Sequence, residues 1–359
     1  MNSIGILYTL RNSSEPSKNN VSAELHVNYW KVPIRNGAYK RFLDFGIFIN
    51  DVARDVSSVS FYFPFKVETQ SLKDLGDSLS KSELLCTLFN NDYVVRNING
   101  SPSYYFISPS SNSEKAHPFW LYVLGENNFK VSDIKPNGSI VNVQIISTPK
   151  KNGGIQPASN DKKPKRNLYF RFRVEDIPEN SIFYEENISN DFLQSAFSKT
   201  EMIDFRINEV REMNPKAYEE ITKDKTFLPF SKIHFFFVGS SEDEQIAGNT
   251  DYKDCRLLNY DRWQAYIGDD YDNTRKLIAY HWCWKGDANN QTRDRYSIFI
   301  KTVYKSIKWK TILKYCSVVF GLSRRSLILP CLEHGSASQN MVHRRYIFSI
   351  SFVPLHHEA

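Results

Sequence analysis

The residues best suited to chemistry in this sequence are arginines and carboxylates spaced two apart. Leu168, Phe170, Phe172 and Val174 alternate with Tyr169, Arg171 and Arg173. A second stretch alternates Ile203, Phe205 and Ile207 with Asp204, Arg206 and Asn208. Period two marks a strand with one apolar and one polar face. If both strands lie in one sheet, their polar faces bring Arg171, Arg173 and Arg206 beside Asp204 and Asn208, a place for an anionic or polar ligand. The competing expectation is a solvated sheet face whose ion pairs contribute little.

A second group of candidates lies further on. Gly268–Asn273 gathers Asp269, Asp270 and Asp272, carboxylates dense enough for Ca²⁺ or Mg²⁺, although no glutamate follows at the EF-hand offset. His281 can approach this loop across a hairpin. That defines the alternative reading, a metal-dependent phosphodiesterase or nuclease using the Asp269–Asp272 loop and His281. His281, Cys283 and the distant Cys255 offer three soft donors, but a tetrahedral zinc site ordinarily takes a fourth from a paired motif, and none is present. Neither a metal nor a cofactor is therefore expected. Cys283 and His281 also fail as a nucleophile pair, because residues two apart on a strand stand side by side and nothing supplies an oxyanion hole. His234, alone in the apolar run KIHFFFVG, is expected to be a core or edge histidine. The sequence has no glycine-rich phosphate loop, GxSxG elbow or HExxH pair. No catalytic residue is assigned, and a binding role is favoured over an enzymatic one.

The elements that must position these residues are mostly strands. The 359 residues include 25 Phe and 20 Tyr, with 41% hydrophobic side chains, enough for substantial cores and rich in types that favour pleated surfaces. Short apolar runs separated by Asn/Gly/Pro/Ser clusters extend to Thr148. They include Phe42–Asn50, where Gly46 suggests a bulge, and Val56–Glu68, where Pro64 suggests an edge strand or a bend. A helix from Ser82, with Leu84, Leu85, Leu88 and Phe89 on one stripe, is expected to cover an open sheet face. Pro215 is placed to start a short helix, Lys232–Gly239 reads as a central strand, and Arg256–Ile267 fits helix or strand. Tyr280, Trp282, Trp284 and Trp263 are expected to pack between sheets and not to form a stacking surface. The fold class is mainly β (α+β): two antiparallel β-sandwich-like domains with short covering helices, over 1–148 and 167–300, joined by a basic linker at 149–166. A basic amphipathic helix and tail follow over 301–359.

Charge is distributed unevenly. The net charge is +6, yet Lys301–Ala359 alone holds nine Lys+Arg against two Asp+Glu, leaving the body nearly neutral. Read as a helix, Lys301–Leu322 sets Val303, Ile307, Leu313, Cys316 and Phe320 on one stripe. Lys301, Lys305, Lys308, Lys310 and Lys314 surround it, with Trp309 near the middle, a pattern suited to a lipid headgroup interface. The apolar run Thr311–Leu322 falls short of the roughly 20 residues of a spanning helix. The competing expectation is a helix packed on the second domain with its lysines in water. Five widely spaced cysteines without a CxxC pair, and an N-terminus lacking a basic region before an apolar core, point to free thiols and a cytoplasmic protein, peripheral on the inner membrane face where the tail engages lipid.

These readings combine into a non-enzymatic sensor of an anionic ligand or partner protein, whose basic C-terminal segment associates with an anionic membrane surface. Nucleic acid is less favoured, because the lysines alternate with large apolar residues. Sheet edges also allow a homo-oligomer. In layout only, the chain is similar to bacterial membrane-acting effectors, in which a soluble sensor precedes a membrane-active tail.

Overall fold

The computed structural model describes residues 3–11, 21–35, 37–50, 56–97, 104–110, 117–125, 128–145, 167–187, 198–287 and 291–305, together with Leu313, Cys316, Ser317 and Phe320. The chain divides into two units, Met1–Ser306 and Ile307–Ala359.

The first unit is built almost wholly of strands. In chain order they are β1 (Gly5–Leu10), β2 (Ala23–Pro33), β3 (Tyr39–Ile49), β4 (Val56–Phe63), β5 (Leu72–Asp74), β6 (Tyr93–Asn97), β7 (Tyr104–Pro109), β8 (Phe119–Tyr122), β9 (Phe129–Ile134) and β10 (Gly138–Gln144). They continue as β11 (Leu168–Val174), β12 (Phe183–Asn187), β13 (Ser198–Ile207), β14 (Thr226–Phe227), β15 (Phe230–Ser240), β16 (Glu244–Gly248), β17 (Asp254–Leu257), β18 (Leu277–Lys285) and β19 (Tyr296–Lys305). Among the described residues four short α-helices accompany them: α1 (Gly76–Leu79), α2 (Ser82–Phe89), α3 (Pro215–Thr222) and α4 (Tyr260–Ile267).

Among the described residues the strands form three sheets. The largest has ten strands in the order β17-β18-β15-β2-β3-β11-β8-β7-β6, with β5 also paired to β11. The others run β14-β1-β4-β10-β9 and β12-β13-β19-β16. Ile4 bridges Ile207, which ties the five-stranded sheet to the four-stranded one. The main core draws on one face of each sheet: Leu25, Val27 and Phe45 from the largest, Val59 and Phe61 from the second, Ile203 and Phe205 from the third. The opposite face of the ten-stranded sheet carries a second core, in which Leu79, Leu84, Leu85, Trp263 and Tyr266 of α1, α2 and α4 pack on Trp30, Phe42, Leu121 and Val238.

A mainly β fold is therefore present, with α2 covering a sheet face as its leucine stripe implies. Its partition differs from expectation. Strands from both sides of 149–166 interleave within the ten-stranded sheet, where β3 pairs with β11 and β2 with β15, so the chain does not separate there into two sets of sheets. Residues 149–166 themselves lie outside the described residues. Nor is the large sheet purely antiparallel, since β2–β15 and β8–β11 are parallel pairs. Strand β4 sits between β1 and β10 and ends at Phe63. Of the two options at Pro64 the bend is the one found: the chain turns there at the end of an interior strand, and Pro64 does not mark an edge. At Gly46 the β2–β3 and β3–β11 registers run on without a bulge. The glycine serves space instead: a Cβ there would fall 2.9 Å from Tyr169 Cζ and 3.1 Å from Arg171 Nη1.

Helix α3 starts at Pro215 with Asn214 Oδ1 accepting from the Lys216 and Ala217 amides. Arg256–Ile267 resolves into both options, the end of β17 followed by α4, which is capped by Asn259. Trp282 lies in the main core and Trp263 in the second, so the tryptophans do pack as core but on opposite faces of the sheet. Lys301–Lys305 ends β19 and does not begin a helix.

Candidate functional site

The expected ligand face is not one face. Arg171 and Arg173 stand on β11 of the ten-stranded sheet, whereas Asp204 and Arg206 stand on β13 of the four-stranded sheet. Arg171 and Arg173 are 0% and 1% exposed, sealed beneath α4 around Asp44. Arg173 Nε donates to Asp44 Oδ1 at 2.7 Å, Arg171 Nε to Tyr266 Oη at 2.7 Å, and Arg171 Nη2 to Asn28 Oδ1 at 2.8 Å. Tyr266 Oη and Trp30 Nε1 both donate to Asp44 Oδ2. Arg206 instead clasps Asp204 at 2.7 Å and Glu212 at 3.1 Å near the surface. Asn208 is buried at φ +55. Its Oδ1 accepts from the Ile6 amide and its Nδ2 donates to the Asp294 carbonyl, both at 2.7 Å. All five side chains are engaged within the protein, which accounts for their polarity without a ligand.

The acidic loop and His281 do not meet as the nuclease reading requires. Asp269 and Asp270 border one cavity with Lys40 and Lys73, while His281 borders another. Asp272 accepts from Thr274, which with Arg275 and Arg35 nearby holds its carboxyl below the ordinary value.

The second of these cavities, of about 450 Å³, is the more developed site. It lies over one face of β17, β18, β15 and β2 and is bounded by Leu88 and Phe89 of α2. Strand register assembles it. The parallel β2–β15 pair sets Glu24 opposite Lys232 and His26 opposite His234. The antiparallel β15–β18 pair sets Cys283 opposite His234 and His281 opposite Phe236, and Asp254 of β17 faces His281. Alternation on each strand sends Leu25, Val27, Ile233, Phe235 and Trp282 to the main core and the histidines to the other face.

Three histidines from three adjacent strands thus converge. His234 Nδ1 and His281 Nε2 are 2.8 Å apart, so one ring donates and the other accepts. The His26 and His234 rings meet edge to face at 5.0 Å, and Tyr169 Oη lies 3.5 Å from His26 Nδ1. Burial lowers all three pKa values, helped by Lys232 and other nearby cations: His26 well below its ordinary value, His234 to about 3 and His281 to about 4. At neutral pH the rings are uncharged and keep lone pairs. Two sets of donor atoms, each mutually within 4.8 Å, share His234: one adds His281 and Cys283, the other Glu24 and His26. Lys232, Lys253 and Arg256 also border the cavity.

His281 and Cys283 stand out in the sequence and His234 reads there as a core or edge histidine, while nothing local marks His26 or Glu24. The usable signal was period two: His234 shares a strand face with Lys232 and Phe236, opposite to the core positions Ile233, Phe235 and Phe237. Which strand lies beside β15 is not written locally.

In the second unit, Leu313, Cys316, Ser317 and Phe320 are helical and exposed, with Leu313 63% and Phe320 72% exposed. Lys308, Trp309, Lys310 and Lys314 lie outside the described residues. Lys301 and Lys305 belong to β19, where they pair with Met202 and Ser198 of β13. Among the described residues, no helix is long and apolar enough to cross a membrane. Cys86, Cys255, Cys283 and Cys316 are free thiols.

No protein-family model matches the chain, and no curated protein matches it. Function must therefore be argued from the cavity, the distribution of charge and the exposed helical stripe.

Proposed function

We propose that this chain is a non-enzymatic ligand-sensing protein whose basic C-terminal segment associates with an anionic membrane surface. The β body takes a small ligand bearing an anionic group in the histidine-floored cavity. The observation that carries this reading is the cavity's makeup: apolar walls from Phe48, Leu88, Phe89 and Phe236, with Lys232, Lys253 and Arg256 supplying positive charge. The exposed Leu313, Cys316 and Phe320 supply the tail's lipid-facing stripe, and the concentration of lysines and arginines beyond residue 300 supplies its attraction to acidic headgroups. This reading places the protein on the cytoplasmic face of the membrane.

The test is flotation of the full chain with vesicles of anionic or of zwitterionic lipid. Selective flotation with anionic vesicles is expected, together with its loss in a Leu313→Asp/Phe320→Asp variant. Equal flotation of that variant would remove the tail from the argument. For the cavity, a panel of anionic metabolites is screened by thermal shift against the wild type and a Lys232→Glu/Arg256→Glu variant. Stabilisation of the wild type alone is expected; no stabilisation by any compound, or equal stabilisation of both proteins, would refute the cavity assignment.

A further inference from the structure

We infer that His234 and His281 in the floor of this cavity, together with Cys283 beside them on β18, bind one divalent d-block cation of the zinc class. The inference goes beyond the sensor reading and survives its failure, since an ion can bind there whether or not the cavity takes an organic ligand.

Three observations support it. First, the donors are of the right kinds. Two neutral imidazoles and a thiol, deprotonated on binding, form an N₂S set suited to zinc, and a fourth position remains for water or another ligand. Second, they already converge. His234 Nδ1 and His281 Nε2 are 2.8 Å apart, and with Cys283 Sγ the donor atoms fall within 4.8 Å of one another. A tetrahedral zinc ion holds its bonded nitrogens roughly 3.3 Å apart, so the two rings would part by about half an ångström and turn their lone pairs toward a common point. Third, the donors stand on a rigid support, two adjacent strands of a ten-stranded sheet whose opposite face is packed core.

Binding is balanced in protons. The Cys283 thiol releases one, and the ring that now donates carries its proton on the other nitrogen and presents a lone pair. Lys232, Lys253 and Arg256 oppose a cation here, while the thiolate, Glu24 and Asp254 offset them. That balance favours an ion that forms strong bonds to nitrogen and sulfur over Mg²⁺ or Ca²⁺, which depend on charged oxygens. The competing donor set, Glu24, His26 and His234, lies within the same 4.8 Å limit but has no thiol.

The test uses the full chain, stripped with chelator and titrated with Zn²⁺ and, as a spectroscopic probe, Co²⁺. One metal per chain is expected, with a raised melting temperature and a thiolate-to-cobalt charge-transfer band. Cys283→Ser should abolish the band, and His234→Ala should weaken zinc by more than the ~10–100-fold that loss of an outer partner costs. Cys255→Ser, which removes a free thiol outside the donor set, should change neither. Circular dichroism establishes that each variant folds. Absence of stoichiometric zinc in the folded wild type would overturn the inference. So would a cobalt complex lacking the thiolate band whose affinity falls in Glu24→Gln and not in Cys283→Ser, because the ion would then sit in the other donor set.

Discussion

Asp44 decides the environment of two arginines. It is the carboxylate that ion-pairs with both Arg171 and Arg173, and all three are essentially unexposed. Burying an ion pair contributes little net stability, but removing one partner leaves an uncompensated buried charge at about 3–5 kcal/mol. Asp44→Ala should therefore cost about that much in urea unfolding, although Asp44 touches no proposed ligand. A loss below about 1 kcal/mol would mean that water reaches the arginines. Both arginines were legible in the sequence as members of a polar strand face. Their burial was not, because it depends on α4 bringing Tyr266 from almost a hundred residues away. Gly46 teaches the same lesson. Its place in a strand suggested a bulge, but the actual demand on it is room for Tyr169 and Arg171.

At the scale of elements, two polar devices join sheets that the sequence leaves unconnected. Asn208 ends β13 in the left-handed region and holds the Ile6 amide of β1. Asn208→Ala loses that bond and also strains the backbone, so a cost of about 1–3 kcal/mol is expected. Asn208→Gly relieves the strain alone and should recover part of the loss; identical unfolding midpoints for the two variants would show that the backbone conformation contributes nothing. The second device links β2, β3 and β13. Glu201 pairs with Lys31 at 3.3 Å and with Arg41 at 2.7 Å, and accepts from Tyr29 at 2.8 Å. Burial by itself pushes the Glu201 carboxyl up, but Lys31, Arg41 and Tyr29 together hold it below its ordinary 4.5. A carboxyl depressed in the folded state stabilises fully above its unfolded value and loses that contribution as pH falls through the folded one. The advantage of the wild type over Glu201→Gln should thus be greatest at neutral pH and shrink below 4.5. An advantage independent of pH would assign the effect to packing. Asp243, pushed up by burial against the pull of Lys31, works in the opposite sense and is common to both proteins.

For the whole molecule, charge is the organising quantity. A nearly neutral β body precedes a segment that carries the positive excess, and the exposed apolar residues at 313, 316 and 320 repeat at helical spacing. Attraction between such a segment and acidic lipid is screened over about 8 Å at physiological ionic strength. Flotation with anionic vesicles should therefore weaken steeply as salt is raised, while the residual hydrophobic contribution of Leu313 and Phe320 persists. Salt-independent flotation would mean that the lysines take no part.

The sequence by itself determined the long alternating strands, such as β3, β11, β13 and β15, and which of their residues share a face, because alternation at period two is set by backbone geometry within a single strand. It also determined where charge accumulates, which is simple counting along the chain. Tertiary structure decided everything that depends on neighbours. It wove strands from both sides of 149–166 into one sheet, placed Arg171 and Arg206 in different sheets, and set His26, His234 and His281 side by side from positions separated by up to 255 residues. The physical reason is that a strand's own residues fix its two faces, whereas its hydrogen-bonding edges accept any partner of compatible register. The identity of that partner is settled only when the cores of all three sheets close together.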